Sequence, residues 1–215
     1  MPSTKQHAPL VWYAGYGSNL SRGRFMSYIS GGTPAGSDRA YEGCRDHSEP
    51  RDDKPIRLDH QLYFADYSAR WGGAIAFIRK AEGKHETLGR MYLVTDDQFN
   101  DIVRQENGRR PNGSRICPSF QEIVQGECWS LPNIRLYGSL LKLGNDHGHP
   151  VLTFTVTRED FQINPPSEPY IKLLAAGLKE TYPDMSDKEV RNYLLRADGI
   201  RGVLSVDQVS AWVEE

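Results

Sequence analysis

The sequence predicts an α+β protein in which helices pack on a barrel-like or mixed β-sheet. Apolar, strand-like runs lie mainly in the first two-thirds of the 215-residue chain, and helical patterns cluster towards the end. A chain of this length can bury one sizeable core, and nothing in its composition marks a second domain. We therefore expect a single domain over residues 1–215.

The first predicted strand covers residues 11–16, an apolar run that ends at Gly17. A short helix over residues 20–29 follows. Residues 38–59 then form a long polar connection, which we interpret as an irregular insertion within the domain. Strand patterns return in HQLYFADY, GGAIAFI and TLGRMYLV, close enough in sequence to pair as neighbours.

A capping-box pattern, Thr95-Asp-Asp-Gln98, predicts a helix that runs to Glu106. A loop over residues 107–120 follows it. The remaining predicted elements are strands in NIRLYGSLLKL and PVLTFTV, a helix over residues 167–182 and a helix that is capped at Ser186.

Composition and charge exclude several classes of function. The formal net charge is −2, so no broad basic field favours nucleic acid or an anionic membrane. The N-terminal residues lack the apolar run of a signal peptide, and no later run could span a bilayer. The three cysteines are far apart and odd in number, which is typical of reduced thiols rather than of a disulfide framework or a zinc site. We expect a cytoplasmic monomer or homodimer that binds neither nucleic acid nor membrane.

Glu106 interrupts an apolar helix face. Phe99, Ile102 and Val103 form that face at i, i+3 and i+4, and Glu106 occupies i+7. Burial and the negative end of the helix dipole would both raise the pKa of this carboxyl, as a general base requires. Alternatively the helix frays at its last turn and Glu106 points into water.

The loop after the first strand is the second candidate site. A strand that breaks at Gly17-Ser18-Asn19 before a helix leaves several backbone N–H groups free, and such groups bind anions or a developing oxyanion. Gly17 would allow close approach of a ligand. An ordinary strand–helix turn is the alternative. The spacing matches neither a dinucleotide fingerprint nor a nucleophile elbow.

Four blocks of sequence resemble the gamma-glutamylcyclotransferase-like family, in the family's order. YAGYGSNL resembles its Tyr-Gly-Ser-Asn-Leu signature, and WGGAIAFI resembles its Gly-Gly strand. LGRMYLVTDDQFNDIVRQENG is similar to its strand–helix unit, whose helix ends in a Glu. PSEPYIKLLAAGLKETYP is similar to its late helix. Together the blocks extend from about the tenth residue nearly to the end of the chain.

The resemblance implies a small mixed β-barrel with surrounding helices and a cavity lined by the signature loop. By position it implies that Glu106 is the catalytic residue. It also implies a set of substrate-binding residues: Tyr13, Gly15, Tyr16, Gly17, Ser18, Asn19, Leu20, Gly73 and Tyr170. Tyr170 shares a helix face with leucines, so plain core packing is an equal alternative for it.

The expected reaction turns a gamma-glutamyl amine or peptide into 5-oxoproline and a free amine. The attack is intramolecular, so one carboxylate that moves protons suffices, and we expect no metal and no cofactor. The partner is then a small gamma-glutamyl compound such as glutathione. Two alternatives remain: an enzyme of the same fold that acts on a related amide, and a binding module without turnover.

Three departures from the family pattern leave the leaving group of the substrate open. Gly15 stands where relatives carry a slightly larger residue, the loop over residues 107–120 is rich in arginine, and the connection over residues 38–59 is long. The loop over residues 107–120 contains Arg109, Arg110 and Arg115. These arginines either bind a second carboxylate of the substrate or are solvated, and solvation is favoured.

Overall fold

The computed structural model describes residues 8–34, 40–157 and 161–214. The strands are β1 Leu10–Gly15, β2 Asp53–Leu58, β3 Gln61–Ser68, β4 Gly73–Arg79, β5 Thr87–Thr95, β6 Cys128–Ser130, β7 Ser139–Asp146 and β8 His149–Thr155. The helices are α1 Arg22–Ser30, α2 Asp96–Glu106, α3 Phe120–Gln125, α4 Glu168–Thr181, α5 Asp187–Leu194 and α6 Val206–Glu214, and a 3₁₀ turn spans Ser18–Leu20. In these ranges we find no helix with the length and apolarity that a membrane crossing needs.

Six strands form the main sheet, in the order β2-β5-β1-β8-β7-β6. β1 pairs antiparallel with β5 and, at Trp12 and Tyr13, parallel with β8. Side chains alternate along β1, so that Trp12 and Ala14 enter one core cluster while Val11 and Tyr13 enter the other. β1 is therefore buried on both faces, and the glycine-rich loop that follows it is anchored to the centre of the protein.

Helices cover both faces of the main sheet. α1 and α2 pack on the face of Val11 and Tyr13, and the β3–β4 hairpin packs with α4, α5 and α6 on the face of Trp12. The predicted capping box is present at the start of α2: the Thr95 side chain accepts a hydrogen bond from the Gln98 N–H, and the Gln98 side chain bonds back. The predicted α+β class is thus confirmed.

The described strands do not close into the predicted barrel. Their pairing gives an open six-stranded sheet and a separate β3–β4 hairpin. At the end of β8 the Thr155 hydroxyl accepts a hydrogen bond from the Ile78 N–H at 3.2 Å and donates one to the Ile78 carbonyl at 2.8 Å. A side chain therefore takes the place of a backbone ladder between β8 and β4, and the two sheets stay separate.

The polar connection predicted over residues 38–59 contains a strand that the sequence pattern conceals. β2 pairs with β5 at the edge of the main sheet and carries Pro55. An edge strand tolerates proline and charged residues because one of its sides needs no backbone partner. Asp38 and Arg39, at the start of the predicted connection, lie outside the described residues.

Some other predicted elements differ from the structure. β3 and β4 pair as predicted, but β5 pairs with β1 and β2 rather than with β4. β7 begins at Ser139 rather than at residue 133. The short α3 begins at a capping box between Ser119 and Glu122 that the sequence analysis missed, as it also missed β6 and α6.

Candidate active site

The glycine-rich loop after β1 is folded tightly against the core. The Leu20 N–H donates to the Gly17 carbonyl at 3.0 Å, and the Tyr92 hydroxyl donates to the Asn19 carbonyl at 2.8 Å. A Cβ atom at Gly17 would lie 3.2 Å from the hydroxyl oxygen of Tyr170. The lack of a side chain at Gly17 therefore allows the loop to approach α4 closely.

Asn19 joins the loop to the last residue of α2. Its Nδ2 atom donates to Oε1 of Glu106 at 2.7 Å and to the Tyr13 hydroxyl at 3.0 Å. Asn19 is only 3% exposed. Its Oδ1 atom is buried and has no hydrogen-bond partner among the described residues. A free acceptor thus lies on the same amide that holds the carboxylate, where a ligand with an N–H group could use it.

A small pocket opens beside the Glu106 carboxylate. Its lining residues are Tyr13, Tyr16, Gly17, Ser18, Asn19, Ala76, Glu106, Tyr137 and Phe154. Tyr13 stacks on Phe154 with ring centroids 5.2 Å apart, and the Tyr16 hydroxyl donates to the Phe154 carbonyl at 2.8 Å. These contacts fix the walls of the pocket. A larger groove, of about 910 Å³, lies along β2, β4, β7 and β8 and contains none of the loop residues.

Burial raises the pKa of the Glu106 carboxyl above its usual range. The Arg24 guanidinium, the Asn19 amide and the Tyr28 hydroxyl favour the ionised form but only partly offset burial. Glu106 as a residue is half-buried, and it lines the pocket. A carboxyl with a raised pKa that lines a pocket is suited to take up and release a proton.

Sequence analysis missed a group of side chains that neighbour Glu106. The Tyr28 and Tyr41 hydroxyl groups share a hydrogen bond at 3.1 Å, and Nη2 of Arg24 donates to the Tyr41 oxygen at 3.1 Å. Arg70 also bonds to the Tyr41 hydroxyl. Arg24 and Tyr28 are one turn apart on α1 and are both buried. Their i, i+4 spacing directly after the signature loop is the sequence signal that could have revealed them.

Some of the predicted substrate-binding residues support the pocket rather than line it. A Cβ atom at Gly15 would lie 3.0 Å from Cβ of Asn19, so Gly15 makes room for that side chain. Leu20 is buried against Gly177 of α4. The Tyr170 hydroxyl accepts a hydrogen bond from the Ala76 N–H at 3.2 Å, and burial raises the pKa of Tyr170 to about 12. Tyr170 therefore packs in the core and also ties α4 to β4.

Gly73, another predicted binding residue, packs against the segment before α4. A Cβ atom there would lie 2.6 Å from the Ser167 backbone nitrogen. We expect Gly73→Ala to lower the free energy of unfolding by about 1–3 kcal/mol, the usual cost of overpacking. Urea unfolding would measure this. The control is Gly23→Ala on α1, where no atom lies within 4 Å and stability should stay the same or rise. Equal effects of the two variants would contradict the close contact at Gly73.

The arginines of the 107–120 loop lie away from the pocket. Arg115 pairs with Asp96 at 2.6 Å, Arg110 pairs with Glu42 at 3.2 Å, and Arg109 donates to a backbone carbonyl. These contacts hold the three arginine side chains and stabilise the conformation of the loop. In the part of the chain that the structure describes, no three His, Cys, Asp or Glu residues are grouped so that they could hold a metal ion.

Comparisons with known proteins bear on the fold. No family model matches the chain. It is 32% identical over 204 residues to a curated protein of Arabidopsis thaliana named histone deacetylase 5; the match covers 87% of this chain and 30% of that much longer relative. The chain is also similar to a solved structure named gamma-glutamyl cyclotransferase, with 18% identity, a TM-score of 0.51 and coverage of 96% of this chain and 99% of the other. A crystal structure of an uncharacterised protein from Homo sapiens gives 17% identity, a TM-score of 0.51 and the same coverage.

The two structural likenesses extend over nearly the whole chain and show that it has a gamma-glutamyl cyclotransferase-like fold. The fold implied by the sequence blocks is thus confirmed, apart from the closed barrel. At this level of identity the likeness concerns the fold alone.

Proposed function

We propose that this chain is a gamma-glutamyl cyclotransferase that converts a gamma-glutamyl amine or peptide into 5-oxoproline and a free amine. The observation that carries the proposal is the 2.7 Å hydrogen bond from Asn19 to Glu106, which joins the glycine-rich loop to a carboxylate of raised pKa at a pocket. The shared fold supports the proposal, although a fold does not by itself fix an activity.

In the proposed reaction the α-amine of the gamma-glutamyl group attacks its own γ-carbonyl carbon. The new carbon–nitrogen bond closes a five-membered lactam, and the amide bond to the leaving amine breaks. Two protons leave the attacking ammonium nitrogen and two arrive on the departing nitrogen, which is released as an ammonium. Glu106 relays them, first as base and then as acid, so the reaction needs no metal, no cofactor and no covalent enzyme intermediate.

The other pocket groups would hold the substrate in its folded shape. The unpartnered Oδ1 atom of Asn19 would accept a hydrogen bond from the substrate ammonium, which brings that nitrogen next to Glu106. The Ser18 N–H already bonds to the Tyr170 hydroxyl and the Leu20 N–H to the Gly17 carbonyl, so the Asn19 N–H of this turn would bind the oxyanion that develops on the γ-carbonyl. The aromatic walls formed by Tyr13 and Phe154 would limit the access of water, which would otherwise compete with the amine.

A mass-spectrometric screen tests this proposal. Purified protein would be incubated with gamma-glutamyl dipeptides, glutathione and gamma-glutamylamines. We expect release of 5-oxoproline and free amine from at least one of these classes. Formation of a different product from every compound would favour an enzyme of the same fold that acts on another amide. Stabilisation by 5-oxoproline without any turnover would favour a binding module.

A further inference from the structure

Arg24 is a buried cation that makes no ion pair among the described residues. The residue is 7% exposed, and in the described ranges no carboxylate lies within the 4.0 Å of an ion pair with its guanidinium. Its hydrogen bond is made by Nη2, to the hydroxyl oxygen of Tyr41 at 3.1 Å. Its Nε–H is buried and has no hydrogen-bond partner among the described residues.

The unpaired guanidinium of Arg24 costs free energy unless another group or a ligand pairs with it. A buried charge is normally paired, and a buried donor that is left unsatisfied costs free energy. Glu106 is the acid whose charge acts on Arg24, and it does so from beyond ion-pair distance. By contrast Arg22, two residues earlier on the same helix, pairs with Glu49 at 2.9 Å and with Asp53 at 3.2 Å.

The guanidinium plane is also held in place by aromatic rings. Its central carbon lies 5.0 Å from the centroid of Trp71 and 5.9 Å from that of Tyr41. The central carbon of the Arg70 guanidinium lies 5.5 Å from the centroid of Trp71 and 5.1 Å from that of Tyr41. Both guanidinium groups therefore contact the same two aromatic rings. A fixed guanidinium with an unused N–H is preorganised for a planar anion such as a carboxylate.

We propose that Arg24 is the carboxylate-binding residue of the site and takes the α-carboxylate of the gamma-glutamyl group. The inference rests on the proposed function for the identity of the ligand. The α-carboxylate does not react and is kept in 5-oxoproline, so every substrate of the proposed reaction and its lactam product carry it. A carboxylate on the leaving group, in contrast, is absent from gamma-glutamylamines. Binding of this group would place the α-amine, which is attached to the same carbon, next to Asn19 and Glu106.

The test compares two ligands that differ by one carboxylate. Binding of 5-oxoproline and of 2-pyrrolidinone, the same lactam without the carboxylate, would be measured by thermal shift and by isothermal titration calorimetry. For the wild type we expect at least tenfold tighter binding of 5-oxoproline. In Arg24→Gln this preference should disappear, and Arg24→Lys should keep part of it. Arg22→Gln is the matched control and should bind as the wild type does.

Stability without ligand separates binding from a structural role. Arg24→Gln loses the contacts with Tyr41 and Trp71, so its melting temperature without ligand should fall only modestly, whereas its preference for 5-oxoproline over 2-pyrrolidinone should be lost completely. A purely structural role would weaken the binding of both lactams alike. Equal binding of the two lactams by the wild type would overturn the subsite, and so would a preference that persists in Arg24→Gln.

A titration with acetate tests the carboxylate subsite independently of the proposed reaction. If acetate binds to the wild type but not to Arg24→Gln in calorimetric titrations, the carboxylate site stands even when no gamma-glutamyl compound is turned over. If neither acetate nor 5-oxoproline binds, the carboxylate site is refuted even when turnover is found.

Discussion

Glu106→Gln should fold as the wild type does and lose about 100-fold or more of the turnover of any gamma-glutamyl substrate. A positioned acid–base group typically contributes about 10²–10⁴ to a rate. The glutamine amide has nearly the same shape, and its oxygen can still accept the hydrogen bond from Asn19, but it cannot take up a proton. Initial rates of amine release would measure the loss, and binding of 5-oxoproline should persist. A variant that keeps near-wild-type rates would remove Glu106 from the mechanism.

The same variant has an expected effect on stability that depends on pH. Burial raises the pKa of Glu106 in the folded protein above its value in the unfolded chain. The folded state therefore binds the proton more strongly, and the wild type loses this stabilisation as the pH rises through the folded pKa. Glu106→Gln has no such group, so in urea unfolding its stability relative to the wild type should increase as the pH rises above the ordinary pKa of a glutamate. The opposite slope would mean that the pKa of Glu106 is lowered.

Asn19→Asp should cause the largest loss of stability at the site. It would put a second carboxylate where Nδ2 of Asn19 now lies 2.7 Å from Glu106, in a buried position. Two carboxylates so close cannot both ionise readily, so the pKa of the pair rises well above that of either group in the unfolded chain. The loss in free energy of unfolding, relative to the wild type, should be small near pH 4 and grow to about 3 kcal/mol as the pH rises towards 8.

Asn19→Leu is the matched control for this effect. It has a similar size and also lacks the donors to Tyr13 and Glu106, but it adds no charge. Its loss of stability should therefore change much less with pH than that of Asn19→Asp. Parallel pH curves for the two variants would contradict the close approach of residue 19 to Glu106. Turnover should fall in both, because the carboxylate is no longer held at the loop.

The parts of the fold that could be predicted from sequence are those with strong local patterns. The capping box at Thr95, the apolar strand before Gly17 and the late helix that begins after Ser167 are all present. The strand β2 was missed because charged residues and Pro55 conceal an edge strand whose pairing depends on distant β5. The barrel was not confirmed because closure depends on which strands meet, and the Thr155 side chain bridges that gap.

The site shows the same division between local and distant information. Helical periodicity singled out Glu106, and the resemblance gave the loop residues that surround it. Periodicity could not show that Asn19 bonds to Glu106, since these residues are 87 positions apart in the chain. Nor could it reveal Tyr41 and Arg70, which lie in irregular segments and reach Arg24 only after folding.

The most direct test of the central claim is the reaction of a gamma-glutamyl peptide in water labelled with ¹⁸O. If Glu106 serves an intramolecular attack by the α-amine, the products are the free amine and 5-oxoproline that carries no ¹⁸O, because no water enters the bond changes. Attack by a water molecule would instead give glutamate with ¹⁸O in its γ-carboxylate. Unlabelled lactam from the wild type, lost in Glu106→Gln, is the predicted result, and labelled glutamate as the product would contradict it.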